Sequence, residues 1–247
     1  MSGLQSAAQI PELRKRLLFT LMMLAVYRIG VQVPTPGINS EALTAFFQQN
    51  AGTLFGMFNM FSGGALENFS IFALGIMPYN SASIIMQLLT VVIPQLEALK
   101  KEGESGRRKI TQYTRYGTVV LSVIQGSFIA VGLEGMTGPG GEMIVLDPGV
   151  QFKLMTMITL TSGTAFLMWL GEQMTERGVG NGISLIIFAG IVARGPSAII
   201  NSFELVKAGE IQIFFVPFLI LMMLGVIGLI VFFETAQRRI PIQYAKR

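Results

Sequence analysis

Residues that could carry out chemistry are sparse in this 247-residue chain. Cysteine and histidine are absent, which removes disulfides, thiolate chemistry, Cys/His zinc sites and histidine acid–base catalysis. Paired carboxylates occur at Glu102 with Glu104 and at Glu172 with Glu176. Each pair has Lys or Arg beside it in a polar segment, which favours solvated ion pairs over catalysis. We therefore expect no enzymatic activity, no catalytic residue, no metal site and no cofactor.

A glycine-rich segment, GVGNG at Gly178–Gly182, is superficially similar to a dinucleotide-binding loop. It lacks the spacing to a third glycine and a preceding strand, and the chain contains no Walker A pattern. Because the segment lies between two apolar stretches, we interpret it as a tight turn followed by the start of a helix.

Small polar residues interrupt one long apolar stretch, Ser70–Leu89. Asn80, Ser83 and Gln87 follow a three- and four-residue spacing, so they share one face of a helix. Such residues can hold helices together within a membrane, or they can line a path that must sometimes face water. The spacing alone leaves both possibilities open.

A shorter apolar segment, Leu54–Glu67, precedes this stretch and is broken at Gly63-Gly64. It is too short to cross about 30 Å of hydrocarbon, which takes about 20 helical residues, so it is predicted to be re-entrant. Irregular backbone at membrane depth is tolerated only where it is buried in protein or lines a watery cavity. The sequence therefore indicates a pore or a binding site near mid-membrane.

The composition indicates an integral membrane protein, with 51% hydrophobic and 13% charged residues against about 25% charged in an average soluble domain. Six apolar runs predict six spans: 17–33, 71–93, 116–133, 152–170, 183–203 and 211–233. The expected divisions are a basic N-terminal segment at 1–16, a five-span half with the re-entrant piece at 17–203, and the sixth span with the start of a basic loop at 204–247.

The positions of Lys and Arg support this topology. Three precede the first span, six lie between the second and third, one is Arg177 and four follow the sixth, together fourteen of the eighteen. The opposite side keeps only Lys207. By the positive-inside rule, both ends of the chain are expected in the cytoplasm. The cluster between the second and third spans could also dock nucleic acid, an acidic lipid or an acidic protein face.

The chain resembles the SecY family of protein-conducting channels over nearly its whole length. The matching blocks are FNMFSGGALENFSIFALGIMPYNSASIIMQLLTVV, KKEGESGRRKITQYTRYGT, FLMWLGEQMTERGVGNGISLIIFAGIVA and QRRIPIQYAKR. The resemblance implies an all-α membrane bundle with a re-entrant plug helix, which is half of an inverted-repeat channel. The first half and the sixth span would be present here, and a second half would have to complete the pore.

The resemblance also implies a function and partners. The channel would pass unfolded secretory proteins across the bacterial plasma membrane and release membrane segments into it, driven by SecA or the ribosome. The implied partners are the SecE and SecG subunits, the SecA motor, the ribosome, signal peptides, nascent chains and anionic lipids.

Four groups of site residues follow from the same resemblance. The pore ring would contain Ile76, Asn80, Ile183 and Ile187. The plug would contain Phe55, Met57, Phe58, Asn59, Met60, Phe61, Ser62, Gly63 and Gly64. Ser81 and Gln87 would belong to the lateral gate. Partner docking would use Arg107, Arg108, Lys109, Arg238, Arg239, Lys246 and Arg247.

One departure and two alternatives accompany this interpretation. Asn80 stands where the family usually has an aliphatic residue. A secondary transporter for small solutes is disfavoured because Arg28 and Arg194 are the only ionisable residues that approach the middle of a predicted span, and Arg28 is expected to snorkel to the interface. A membrane scaffold that docks soluble partners is disfavoured by the plug-like break and by Pro78.

Overall fold

The computed structural model describes residues 10–50, 52–209, 212 and 214–236; the side chains of Leu54, Phe55, Phe58 and Phe61 lie outside the described part. The helices in these residues are α1 Pro11–Val31, α2 Ser40–Gln49, α3 Leu54–Phe61, α4 Met77–Val92, α5 Pro94–Lys101, α6 Glu104–Glu134, α7 Val150–Arg177, α8 Gly182–Val192, α9 Gly195–Lys207 and α10 Phe215–Thr235.

Several helices extend beyond the predicted apolar spans. α6 begins at Glu104 and therefore takes in much of the basic segment expected before the third span. α7 continues to Arg177, seven residues beyond the predicted apolar span 152–170. α1 begins at Pro11 and includes the basic residues of the predicted N-terminal segment. Polar residues such as Glu, Arg, Lys and Gln are good helix formers, so a helix need not end where its apolar run ends.

Two prolines mark the two ends of the helix in the second predicted span. The helical part begins only at Met77, with Pro78 in its first turn, where a missing N–H has little cost. α4 ends at Val92, and Pro94 opens α5 at a bend of 98°. The preceding residues of the predicted span, 71–76, are turns rather than helix.

Four helical stretches within the described residues are long and apolar enough to cross a membrane: Glu104–Glu134, Val150–Arg177, Gly182–Lys207 and Phe215–Thr235. The bent pair α4 and α5 would make a fifth. α1 contains the first of the six predicted spans. It lacks an 18-residue apolar stretch with few charges, because Arg14–Arg16 and Arg28 lie within its length.

The interface between α6 and α7 is built from small side chains. The buried residues of α6 recur every four positions at Thr114, Thr118, Ser122 and Gly126. The Thr118 hydroxyl donates to the Thr114 carbonyl at 2.8 Å, so it needs no partner across the interface. Small, internally satisfied residues allow membrane helices to approach closely. α4 also packs on α6. α1 and α8 pack on α7, which is therefore the central helix of this bundle.

The chain divides into two compact units between Arg194 and Gly195. The first contains α1 to α8, and the second contains α9 and α10. The predicted divisions after residues 16 and 203 followed membrane topology rather than compactness, and they stay predictions.

An outer cluster of apolar residues closes one end of the first unit. It contains Ala42, Leu43, Phe47, Phe69, Ala73, Leu74, Ala130, Leu133, Ile144, Val145, Phe152 and Leu160. The loop between α6 and α7 joins it through a β-bridge of Ile38 with Val145. α2, which lies between the first and second predicted spans, contributes Ala42, Leu43 and Phe47.

Candidate functional site

The re-entrant segment is a short helix followed by a glycine break, as its sequence predicts. α3 ends at Phe61 after eight residues. Gly63 and Gly64 then adopt φ values of 68° and 87°, a left-handed conformation that glycine enters without a steric cost. The chain continues in turns until α4 begins at Met77.

The non-helical backbone after this break is buried. Ser70 is inaccessible and forms a β-bridge with Pro34. The N–H of Thr35 donates to the Phe69 carbonyl at 2.8 Å, and the N–H of Ile71 donates to the Val33 carbonyl at 3.0 Å. Irregular backbone inside a membrane protein requires such internal partners. The segment is thus held between α1 and the rest of the bundle.

Two side chains of α1 hold the carbonyls of the glycine break. The Tyr27 hydroxyl donates to the Ser62 carbonyl at 3.2 Å. Arg28 Nη1 donates to the Gly63 carbonyl at 2.8 Å. The expectation that Arg28 snorkels to the interface stays a prediction; the structure shows that its guanidinium has a backbone partner within the protein.

The glycine break also contacts α8 directly. A Cβ on Gly63 would lie 2.8 Å from the Gly190 Cα and 3.1 Å from the Tyr27 hydroxyl. A Cβ on Gly190 would lie 3.3 Å from both N and Cα of Gly63. Two backbones therefore meet where neither residue carries a side chain, a contact that only glycine permits.

The predicted plug side chains differ in their exposure. Asn59 and Ser62 are buried, whereas Met57 and Met60 are exposed, Met57 by 53%. The Ser62 hydroxyl donates to the Asn59 carbonyl at 2.9 Å and accepts from the Leu66 N–H at 3.2 Å. The aromatic side chains predicted for the plug, those of Phe55, Phe58 and Phe61, lie outside the described part of the chain.

Three of the four predicted pore-ring residues come together beside this segment. An inner cluster of buried residues contains Tyr27, Val31, Ala65, Phe72, Ile76, Leu167, Leu170, Met174 and Ile186. Ile76 is only 5% exposed, and Ile183 and Ile187 pack against the same cluster while staying half-buried. The isoleucines reach it from the start of α4 and from two successive turns of α8.

Asn80 stays outside the inner cluster. Its backbone N–H donates to the Ile76 carbonyl at 3.0 Å, so the two residues lie one turn apart on α4, as the sequence predicts. Its side chain is exposed, unlike that of Ile76. The side chain of Asn80 therefore takes no part in the inner cluster.

The start of α8 is fixed by a cap and by close packing. The Asn181 Oδ1 accepts from the N–H groups of Ile183 at 3.0 Å and Ser184 at 3.4 Å, which is an N-cap. This confirms that GVGNG forms a turn and a helix start. A Cβ on Gly182 would lie 2.2 Å from the Gly171 carbonyl oxygen of α7. The cap and the close packing against α7 together fix the position of Ile183 beside the inner cluster.

The predicted gate and docking residues lie on exposed or half-buried surfaces. Gln87 is exposed and donates to the Ser83 hydroxyl at 3.3 Å, while Ser81 is half-buried. Arg107, Arg108 and Lys109 are exposed in the first turns of α6. The remaining predicted docking residues, Arg238, Arg239, Lys246 and Arg247, lie outside the described residues.

The sequence analysis missed three residues that hold the re-entrant segment: Tyr27, Gly190 and Glu67. Arg28 and Arg194 carried a usable signal, since a charge inside a span usually has a partner in the protein. The identity of that partner was not readable, because Gly63 follows Arg28 by 35 residues and Glu67 precedes Arg194 by 127.

The helices and the buried re-entrant segment define a multi-pass α-helical membrane protein with a buried apolar cluster beside that segment. A family model described as SecY matches residues 70–247. The chain belongs to the SecY family.

Two relatives illustrate the extent of the similarity. The chain is 56% identical over 238 residues to a protein translocase subunit SecY of Pseudomonas aeruginosa, which covers 96% of this chain and 52% of that protein. It is 47% identical over 245 residues to that of Aquifex aeolicus, covering 99% and 57%. The chain thus spans about half the length of the relatives it matches.

Solved structures share the fold. Sec61 in a canine ribosome-channel complex from the endoplasmic reticulum matches with a TM-score of 0.54 at 18% identity, over 98% of this chain and 54% of that one. A structure titled as a protein conducting channel matches with a TM-score of 0.53 at 18% identity, over 95% and 51%.

Proposed function

We propose that this chain forms the first half of a protein-conducting channel, which passes unfolded secretory proteins across the bacterial plasma membrane and releases membrane segments into it. The observation that carries the proposal is that Ile76, Ile183 and Ile187 all pack into the inner cluster beside a buried, glycine-broken segment. Membership of the SecY family supports it.

The chemistry of such a constriction suits a conduit for many substrates. Isoleucine side chains offer no hydrogen bonds, and a narrow apolar ring loses water readily, which blocks ions. The same ring needs no sequence readout to let a polypeptide pass. We expect Ile76, Ile183 and Ile187 to face the translocation path once the second half of the channel is present.

Asn80 has a different part in this proposal. Because its side chain is exposed and outside the inner cluster, the ring of this half would be formed by the three isoleucines. Asn80 would offer the translocating chain a polar contact one turn further along α4. Ser81 and Gln87 on the same helix would belong to the lateral gate through which signal peptides leave.

The basic start of α6 would dock partners on the cytoplasmic side. Arg107 and Lys109 are exposed, and Arg108 has only a long contact of 3.8 Å with Glu104. Such charges remain available to an acidic protein face, to ribosomal RNA or to anionic lipids. SecA or the ribosome would drive transport, SecE and SecG would complete the channel, and both ends of this chain would face the cytoplasm.

The alternative of a small-solute transporter has no support in the described residues. A coupled transporter usually carries ionisable groups along its path. Arg28 and Arg194, the charges that approach the middle of a predicted span, are instead engaged with the re-entrant segment.

The proposal is tested with single cysteines, since this chain contributes no cysteine background. Ile76→Cys and Ile183→Cys are made in a complete SecY-family channel that carries this sequence as its first half, and a secretory chain is stalled inside. We expect crosslinks from both positions to the stalled chain. Ile158→Cys is the matched control, because Ile158 is 61% exposed on α7 and outside the inner cluster, so it should give none.

The pattern of crosslinks decides the outcome. Crosslinks from Ile76 and Ile183 without one from Ile158 support the constriction. Absence of crosslinks from both cluster positions, while the chain is stalled and the channel assembled, would refute the assignment.

A further inference from the structure

A buried amide organises the carboxylate that ends the re-entrant segment. Asn59 is 3% exposed. Its Nδ2 donates to Glu67 Oε2 at 2.9 Å, and its Oδ1 accepts from the Glu67 backbone N–H at 3.0 Å. These two bonds join α3 to the turn after the glycine break. They fix both the backbone and the carboxylate of Glu67.

The same carboxylate oxygen binds a cation from outside the segment. Arg194 Nη2 forms an ion pair with Glu67 Oε2. Arg194 lies two residues beyond the end of α8, after the C-cap Ala193, and its backbone N–H donates to the Ile191 carbonyl of that helix at 3.3 Å. One oxygen thus accepts from Asn59 within the segment and from Arg194 on the neighbouring helix.

The geometry gives the two contacts different consequences when the segment moves. Asn59 and Glu67 both belong to the re-entrant segment and can move together. Arg194 belongs to the end of α8, which also lies against the glycine break through Gly190. Displacement of the segment from α8 therefore separates Glu67 from Arg194 and leaves two charges that need water or other partners.

We propose that Asn59, Glu67 and Arg194 form a polar latch that sets how readily the re-entrant segment leaves α8. This inference rests on the proposed function, because it assigns the segment the part of a channel plug. Arg194 is the fixed partner, Glu67 the moving one, and Asn59 positions the carboxylate. Signal peptides of different strength would be selected by whether they supply enough binding energy to break this ion pair.

The latch is tested by removing its charge while keeping its shape. Glu67→Gln preserves an oxygen and the backbone bond to Asn59 but removes the carboxylate. In the complete channel reconstituted in planar bilayers, we expect about a fivefold rise in the ion conductance of the resting state, between the effects typical of exposed and of buried charged contacts. Export of a reporter with a weakened signal peptide should rise with it.

A charge exchange separates latch function from general damage. Arg194→Glu alone should leak as Glu67→Gln does, whereas Glu67→Arg combined with Arg194→Glu should restore the low conductance. Glu142→Gln is the control, since Glu142 is an exposed carboxylate of the loop between α6 and α7 and should leave the conductance unchanged.

The failures of the two proposals are distinguishable. Unchanged resting conductance in Glu67→Gln and Arg194→Glu, with nascent-chain crosslinks from Ile76 and Ile183 intact, overturns the latch and leaves the channel. A leak in both single variants that the exchange does not reduce also overturns it, because the pair would then have no specific role. Absence of crosslinks from Ile76→Cys and Ile183→Cys, in a channel whose Glu67 and Arg194 are unaltered, overturns the proposed function itself.

Discussion

The contact between Gly63 and Gly190 gives the sharpest prediction, the effect of Gly63→Ala. Gly63 has φ of 68°, and an L-residue in the left-handed region costs roughly 1–2 kcal/mol. The added Cβ would also lie 2.8 Å from the Gly190 Cα, which is backbone and cannot turn aside. Both costs fall on the state in which the re-entrant segment is seated against α8.

The size of the effect follows from these two terms. A penalty of about 2 kcal/mol on the seated state changes the ratio of unseated to seated segment about 30-fold, since 1.4 kcal/mol is a factor of ten. We therefore expect the resting conductance of the complete channel to rise by about that factor. Gly190→Ala should act in the same direction but more weakly, because its nearest contacts would be 3.3 Å and its φ is not left-handed.

The assay is the fraction of time that single channels conduct in a planar bilayer without substrate. Gly132→Ala is the matched control, because Gly132 lies in α6 and a Cβ there would meet no atom within 4 Å. Resting conductance that is equal in Gly63→Ala and the unaltered channel would refute the reasoning. An equal leak in Gly132→Ala would refute it as well, by showing that any added methyl opens the channel.

Two further predictions concern the helices that present the docking and constriction residues. Gly106→Ala would place a Cβ 1.6 Å from the Leu99 carbonyl oxygen, so α5 and α6 would have to separate; we expect weaker co-sedimentation with ribosomes although every basic side chain is retained. Asn181→Ala removes the N-cap of α8, which costs about 1 kcal/mol; thermal unfolding in detergent should occur at a lower temperature, and Asn181→Ser should recover most of the loss. Unchanged sedimentation in the first variant, or an unchanged melting temperature in the second, would contradict the respective reasoning.

The membrane-embedded part of the fold was predictable because apolar length is a strong signal. Each predicted span contains helix in the described residues. The helix ends were not predictable. α6 and α7 continue into polar sequence because helix formation outside the membrane depends on propensity and packing rather than on hydropathy.

The glycine break was predictable, but its partners were not. Two adjacent glycines after a short apolar run indicate a change of direction. Nothing local in the sequence indicates that the break meets Gly190, or that Arg28 binds the Gly63 carbonyl. These contacts join residues that are distant in the chain, and they exist only once α1 and α8 pack on α7.

Asn80 illustrates how far spacing carries a prediction. Ile76 and Asn80 are four residues apart, and the Asn80 N–H donates to the Ile76 carbonyl, so the two lie one turn apart at the start of α4. The spacing did not predict their different burial, because Ile76 is the N-cap of that helix and is surrounded by the turns before it. One turn later, the side chain of Asn80 is exposed. A periodic pattern gives direction around a helix, whereas burial depends on what lies beside each turn.

The contacts that hold the re-entrant segment suggest why it can leave its seat. The segment is held by hydrogen bonds from Tyr27 and Arg28 and by the ion pair of Arg194 with Glu67. Water could replace each of these partners at little cost in free energy. Such contacts contribute on the order of 1 kcal/mol each in net terms, so they are weak once water reaches them and strong while it does not. Met57 and Met60 are already exposed, so displacement of the segment needs no removal of their side chains from a core. In the proposed channel, a substrate that brings water to the inner cluster would therefore weaken these contacts before it touches the segment.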